Sequence, residues 1–458
     1  MMNQDVFSAE LPPALDSLPN GWTAVRLKHV AHVRYGLGQP PREMEGGLPL
    51  IRATNIKRGR ITREGLLFVD PADIPTGRDA VLREGEIVVV RSGAYTGDSA
   101  IVPSEFVGSI TGYDMVVRPL AIEPRFLAYL LLSAPILNDQ IDLCRLRAAQ
   151  PHLNAHELGN IILPHPSIVQ QHTIADFLDE KTAAIDALIA KKERLIELIE
   201  EKRQATITRA VTKGLDPDVP MKDSGIEWLG EVPAHWEVAP LGYMVRVLGG
   251  GTPSKQREDF WGGPIPWVSP KDMKRDIIDD AEDSITVQAL QSTNIPIVQP
   301  PAVLMVVRGM ILAHTVPIAL TATPLTVNQD MKALLPIPGL LAGFLALYLQ
   351  AVNPTLLVYV EEAGHGTKRL PSELWQKLTL AVPPIDEQQR IAEQVDQANR
   401  RSQHIVQKIT EQVTRLHEYR QTLISAAVTG QLDLTTRTTR ARKSATEPTP
   451  ASPQEVPV

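Results

Sequence analysis

One long helix pattern constrains this chain more than any other feature, because the chain writes it twice. The segment Arg203–Asp216, RQATITRAVTKGLD, returns as Arg420–Asp433, RQTLISAAVTGQLD, with eight of fourteen paired positions identical at an offset of 217. Chance at ordinary composition gives about one such match. Upstream the same offset carries Gln171, Ile174, Ala175 and Asp179 onto Gln388, Ile391, Ala392 and Asp396. No gap is needed anywhere, so both copies keep one length, as a spacer does. A helix of about 40 residues at 1.5 Å rise spans about 60 Å.

Apolar spacing supports the helical reading. In the second copy Ile391, Val395, Ala398, Ser402, Ile405, Ile409, Leu416, Tyr419 and Leu423 follow a 4-3 spacing, broken at Gln412. The same frame in the first copy gives Ile174, Leu178, Ile185, Leu188, Leu195 and Ile199, interrupted by Lys181, Lys192 and Lys202. Two imperfect seams inside one chain are most simply satisfied by packing on each other.

Length and composition set the remaining bounds. A chain of 458 residues predicts two or three domains. The single cysteine excludes an internal disulfide and fits a reducing cytoplasm. The N-terminus shows no secretory signal, and the most apolar run, residues 340–352, is too short to cross a bilayer. A net charge of -7 is neutral on nucleic-acid binding, which depends on where charge sits rather than on its sum.

Read in order, the chain is an extended lead-in (1–19), a mixed strand and helix domain (20–165), and a long helix (166–214). A turn-rich connector (215–234) leads to a second mixed domain (235–382), a second long helix (383–433), and a low-complexity tail (434–458) read as disordered. The domains share landmarks near the same offset: Trp22 with Trp236, Arg91 with Arg308, Phe126 with Phe344. They differ nearly everywhere else, whereas the helices agree well. A duplicated chain that keeps its spacer and diversifies its domains uses the domains to read two different things.

No enzymatic constellation survives inspection. Gly364–Lys368 lacks the spacing of a phosphate-binding loop, and no dinucleotide fingerprint follows a strand. His152 and His156 stand four apart, but no third metal ligand accompanies them. A non-catalytic chain without a metal is the expectation.

Several segments then carry a family resemblance: Lys222–Gly230 (KDSGIEWLG) with Pro233–Trp236 (PAHW), Gly250–Lys255 (GGTPSK), Trp261–Val268 (WGGPIPWV) with Lys271–Met273, and Pro383–Ala392 (PPIDEQQRIA). Together and in this order they resemble the specificity subunit of type I restriction-modification systems, over roughly Trp22 to Asp433. The first helix start departs from the pattern, with His165-Pro166-Ser167 before Gln170.

The resemblance implies an α+β fold: two mixed α/β target-recognition domains separated by two long helices that pack as an antiparallel coiled coil. It implies that each domain reads half of a split duplex DNA target and that the helices set the gap. Two adenine methyltransferase subunits using S-adenosylmethionine, and two restriction subunits using ATP and Mg²⁺, would do the chemistry. Base edges must be reached by side chains on loops, so DNA contacts are expected at Arg52, Thr54, Asn55, Lys57, Arg58, Arg60, Arg91, Ser92 and Tyr95. In the second domain they are expected at Thr252, Ser254, Lys255, Lys271, Lys274, Arg308, Lys368 and Arg369, with the loops 147–154 and 364–369 as further sites. Two competing readings of the architecture, a coiled-coil protein adaptor and an unfamiliar nuclease, stay open here. Salt-dependent duplex binding separates DNA recognition from the first, and Mg²⁺-dependent plasmid cutting tests the second.

Overall fold

The computed structural model describes residues 17–145 and 152–434, together with Pro12 and Leu15. Most of the lead-in, residues 146–151 and the residues from 435 onward lie outside the described residues. Two compact units make up the chain: Met1–Lys192 with Glu411–Val458, and Glu193–Thr410. Four helices organise them: α1 (Pro124–Leu132), α2 (Ile168–Lys213), α3 (Ala342–Ala351) and α4 (Ile385–Val428). Each unit therefore holds one mixed domain, the first half of the helix that follows it, and the last half of the other long helix. The boundaries of the compact units run across the long helices rather than at their ends.

In unit 1 a four-stranded antiparallel sheet runs in the order Ala31–Tyr35, Met115–Pro119, Ile87–Val89, Ser99–Ile101. The run Ile87 to Val90 is wholly buried because both sheet faces are covered. Ile87 and Val89 face the layer holding Phe126, Leu127 and Leu130 of α1, while Val88 and Val90 face Ile56, Leu82 and Phe106. A second sheet, Leu67–Val69, Glu43–Ile51 and Ile110–Thr111, completes the domain.

Unit 2 repeats the plan. Its main sheet orders Val245–Gly249, Met331–Pro336, Val303–Val306, Ile318–Thr321 and Ile277–Ile278. The last strand pairs parallel to its neighbour. Unit 1 has instead a separate hairpin, Ile56–Lys57 with Arg60–Ile61.

The long helices are fastened to the domains by the same residues in both copies. Gln171 at the start of α2 is fully buried; its Oε1 accepts from Glu123 N at 2.8 Å and its Nε2 donates to Pro166 O at 2.9 Å. Gln388 at the start of α4 does likewise, accepting from Leu341 N and donating to Gly339 O and Pro383 O, each at 2.8 Å. These amides satisfy backbone groups around the N-terminus of the short helix in each domain, where water cannot reach. At the other end of that short helix, Gln421 Nε2 donates to Leu132 O at 2.6 Å and Gln204 Nε2 to Ala351 O at 3.4 Å. Gly214 and Gly430 close the long helices with φ of +78° and +74°, the left-handed conformation that suits glycine. A side chain at Gly430 would strike Pro19, and one at Gly214 would press on Trp236.

The helices pack together along a seam one stripe away from part of the expected one. Ile174, Leu178, Ile185, Ile391, Val395 and Ile409 are buried, and Ile199, Leu416 and Leu423 half-buried. Leu188, Leu195 and Ile405 are instead 43%, 45% and 48% exposed, and their neighbours Ile189, Ile196 and Val406 turn inward. At these three places two apolar residues are adjacent, so apolarity alone does not choose between them. The polar interruptions meet each other: Lys192 Nζ donates to Gln412 Oε1 at 2.6 Å. With Asp186 beside Arg420 in the same unit, the helices run antiparallel there.

Candidate nucleic-acid interface

Local chain chemistry places each expected contact. In unit 1 the segment from Arg52 to Glu64 folds over Asn55. Its Oδ1 accepts from Arg52 N at 3.1 Å, and its Nδ2 donates to Thr62 O at 3.2 Å and Glu64 O at 3.0 Å. Asn55, expected from sequence at a DNA contact, is completely buried and its side chain closes the loop. Arg58 and Gly59 form the two-residue hairpin turn with φ of +39° and +94°, as a turn between right-twisted strands requires.

The hairpin brings several predicted residues together. Lys57, Arg58 and Tyr95 line one surface pocket of about 500 Å³, with Thr96, Asp98 and Asp142 on its walls. Tyr95 is 56% exposed there. Lys57 pairs with Glu64 at 2.5 Å, which holds that carboxyl below its ordinary range. Burial pushes the Asp98 carboxyl up, against the backbone N–H of Arg58. Thr54 is exposed at the loop surface. Arg52 is turned inward, donating to Gly65 O at 2.8 Å. Arg60 points away from the pocket, to Asp186 on α2 at 2.5 Å.

Arg91 sits in a sandwich that sequence spacing did not reveal. Its guanidinium lies over the rings of Tyr35 and Tyr113, 4.6 and 4.4 Å from their centroids, and 3.4 Å from the His152 ring nitrogen. Asp114 accepts from the Arg91 backbone N–H at 3.1 Å, and burial raises its carboxyl above the ordinary value. Ser92 bridges to His152 through the backbone. Tyr35 and Tyr113 are 78 residues apart and meet because Tyr35 pairs with Met115 across the sheet. Strand pairing was the signal that could have found them.

Unit 2 distributes its candidates differently. Lys271 and Lys274 line a cleft of about 900 Å³ with Arg203, Arg275, His314 and Gln403. Lys271 is engaged by Asp283 at 2.8 Å and Glu282 at 3.2 Å, and the Asp283 bond chiefly raises its pKa. The Lys274 and Lys255 side chains have no ion-pair partner among the described residues and are exposed. Thr252 donates to the side chain of Gln329, and Ser254 offers its carbonyl to Trp261 Nε1 at 3.2 Å. These residues, with Lys255, belong to the 250–260 loop and do not line the cleft. Arg308 is exposed and bridges to Arg369. Lys368 and Arg369 pair with Glu362 at 2.9 Å and Glu361 at 3.1 Å across a small hairpin. The cluster of Arg308, Lys368 and Arg369 is thus assembled by tertiary pairing.

Among the described residues no group of three or more His, Cys, Asp or Glu could hold a metal ion. No described helix is long and apolar enough to cross a membrane. The arrangement offers basic and polar side chains on loops, carried by rigid sheets, and suits recognition of an anionic polymer.

Residues 19–198 and 233–415 each match the type I restriction modification DNA specificity domain. Over 259 residues, 56% of this chain and 58% of the relative, the chain is 32% identical to the EcoR124I/EcoR124II specificity subunit of Escherichia coli. It is 22% identical to the StySPI specificity subunit of Salmonella potsdam over 91% of this chain and 90% of that one. The first of these matches thus spans little more than half of the relative. A chain of a solved type I R-M system superposes with a TM-score of 0.70 at 19% identity, covering 91% of this chain and all of that one. The HsdS subunit from Thermoanaerobacter tengcongensis superposes at 0.50 and 18% identity, over 91% of this chain and 98% of that one. The duplicated fold and the two family matches agree: this chain belongs to the type I restriction-modification specificity subunits and carries their DNA specificity domain twice.

Proposed function

We propose that the chain is the sequence-reading subunit of a type I restriction-modification complex. Each recognition domain reads one half of a bipartite duplex target, and the paired long helices set the gap between the halves. The chain itself catalyses nothing. It docks two methyltransferase subunits, which bind S-adenosylmethionine and methylate adenine, and two restriction subunits, which use ATP and Mg²⁺ to cleave, all in the cytoplasm. The carrying observation is the duplication itself, in which Gln171 and Gln388 fasten the two long helices to diverged domains by equivalent bonds. Half-site spacing in DNA recognition follows from how far apart the reading elements are held.

A genome-wide adenine-methylation map tests this, taken from cells with the gene intact and deleted. Loss of one split motif of fixed gap is the expected result. An unchanged map in cells whose partner methyltransferase is expressed would overturn the reading.

A further inference from the structure

The two units build the same cleft between recognition domain and long helices, and only one of them is bolted shut. In unit 1 the cleft holds about 330 Å³ and is lined by Arg60, Ile101, Asp186 and Arg420. At the repeat-equivalent positions of unit 2, Ile318, Gln403 and Arg203 line a cleft of about 900 Å³. Asp186 is the difference. Its two oxygens face two arginines, Arg60 of the recognition hairpin at 2.5 Å and Arg420 of α4 at 3.0 Å. Asp186 and Arg420 side chains are only 18% and 15% exposed. In unit 2 the equivalent residue is the neutral Gln403. Arg203 there turns to Glu200, on its own helix, at 2.7 Å, and to Asn399 on α4 at 3.4 Å.

We infer that Asp186 is a positioning residue for target recognition, tying the Arg58-Gly59 hairpin of the first domain to both long helices. The inference rests on the reading of the chain as a bipartite DNA reader. The hairpin carries Lys57 and Arg58 toward the surface pocket with Tyr95 on one side and Arg60 onto the spacer on the other. Gly59 also abuts Leu132, whose carbonyl accepts from Gln421 of α4. Recognition loop and spacer are therefore one mechanical piece in unit 1. A gap one base pair longer moves a half-site about 3.4 Å along the duplex and about 35° around it. A stiff joint rejects that displacement. Neutralising Asp186 leaves the Arg420 guanidinium half-enclosed without its counter-charge and frees Arg60, so the hairpin can follow a displaced half-site.

The test measures adenine methylation in vitro by the complete complex with its methyltransferase subunits, on duplexes carrying the cognate gap or a gap one base pair longer or shorter. For Asp186→Asn the ratio of cognate to altered-gap methylation should fall about tenfold, with base preference inside each half-site unchanged. Arg60→Ala, at a mostly exposed position that tolerates truncation, should lower the same ratio about threefold. Asp186→Glu should restore most of it. If Asp186→Asn weakens all duplexes in proportion and keeps the ratio, the residue is merely structural and the inference fails. If the unaltered complex shows no bipartite target, the functional reading falls and the inference with it.

Discussion

The two units share a joint and differ in how firmly it is closed. Both bury a glutamine at the start of the long helix, and both send a second glutamine to the carbonyl end of the short domain helix. Yet Trp236 is fully buried where Gly214 ends α2, while Trp22 at the equivalent end of α4 is only half-buried. The domain-helix cleft shows the reverse, narrow in unit 1 and wide in unit 2. The contacts that hold helix ends are common to both copies. Those that set how each domain rests on the helix are particular to one. The duplicated chain thus keeps a shared frame under two diverged domains, and the residues sort along that line.

Four measurements break or sharpen this comparison. Trp236→Ala removes one of the two fully buried tryptophans of unit 2 and should cost about 3–5 kcal/mol; Trp22→Ala should cost about half as much. Urea unfolding followed by hydrogen exchange in each unit reads both, and equal losses would erase the claimed difference. Next come the anchors. Gln388→Ala abandons three hydrogen bonds and Gln171→Ala two, so costs of about 3 and about 2 kcal/mol are expected, each confined to its own unit by the same readout.

Acid titration gives a smaller effect, seen in unit 1. Burial raises the folded-state Asp114 carboxyl above the ordinary 3.8, so the native state binds a proton that the unfolded chain has released. Stability from this group is full below about that value and is lost as pH climbs through the raised one. Asp114→Asn keeps an oxygen for the Arg91 N–H and cannot ionise. Its urea midpoint relative to the unaltered chain should therefore rise as pH increases above 3.8, and a constant difference would contradict the assignment. Smallest is the salt response of duplex binding. Lys274→Ala and Lys255→Ala should each lower the slope of log affinity against log salt by about one. Lys271→Ala should change it less, because Asp283 and Glu282 already hold that ammonium.

Much of the frame could be read without coordinates. Helical periodicity and a gapless repeat are local, one-dimensional signals, and they announce the two long helices that the fold shows as Ile168–Lys213 and Ile385–Val428. The candidate interface was harder to read. Asn55 looks like any polar loop residue until its three hydrogen bonds show it facing inward. The sandwich around Arg91 draws on Tyr35, Tyr113 and His152, which no spacing rule connects. Near Leu188, Leu195 and Ile405 each residue stands beside another apolar one, and only the partner helix selects which of the two is buried.

Sequence by itself determined the duplication, the presence of two long helices and the family. All of these depend on pattern along the chain, which repeats at a fixed offset and tolerates divergence elsewhere. Tertiary structure alone decided which charges are spent on internal pairs and which remain on the surface. Lys57, Arg60 and Lys271 meet carboxylates, while Lys255 and Lys274 meet none among the described residues. The reason is physical: an ion pair such as Arg60 with Asp186 closes across 126 residues of chain, and only sheet pairing and helix packing bring its ends within 2.5 Å.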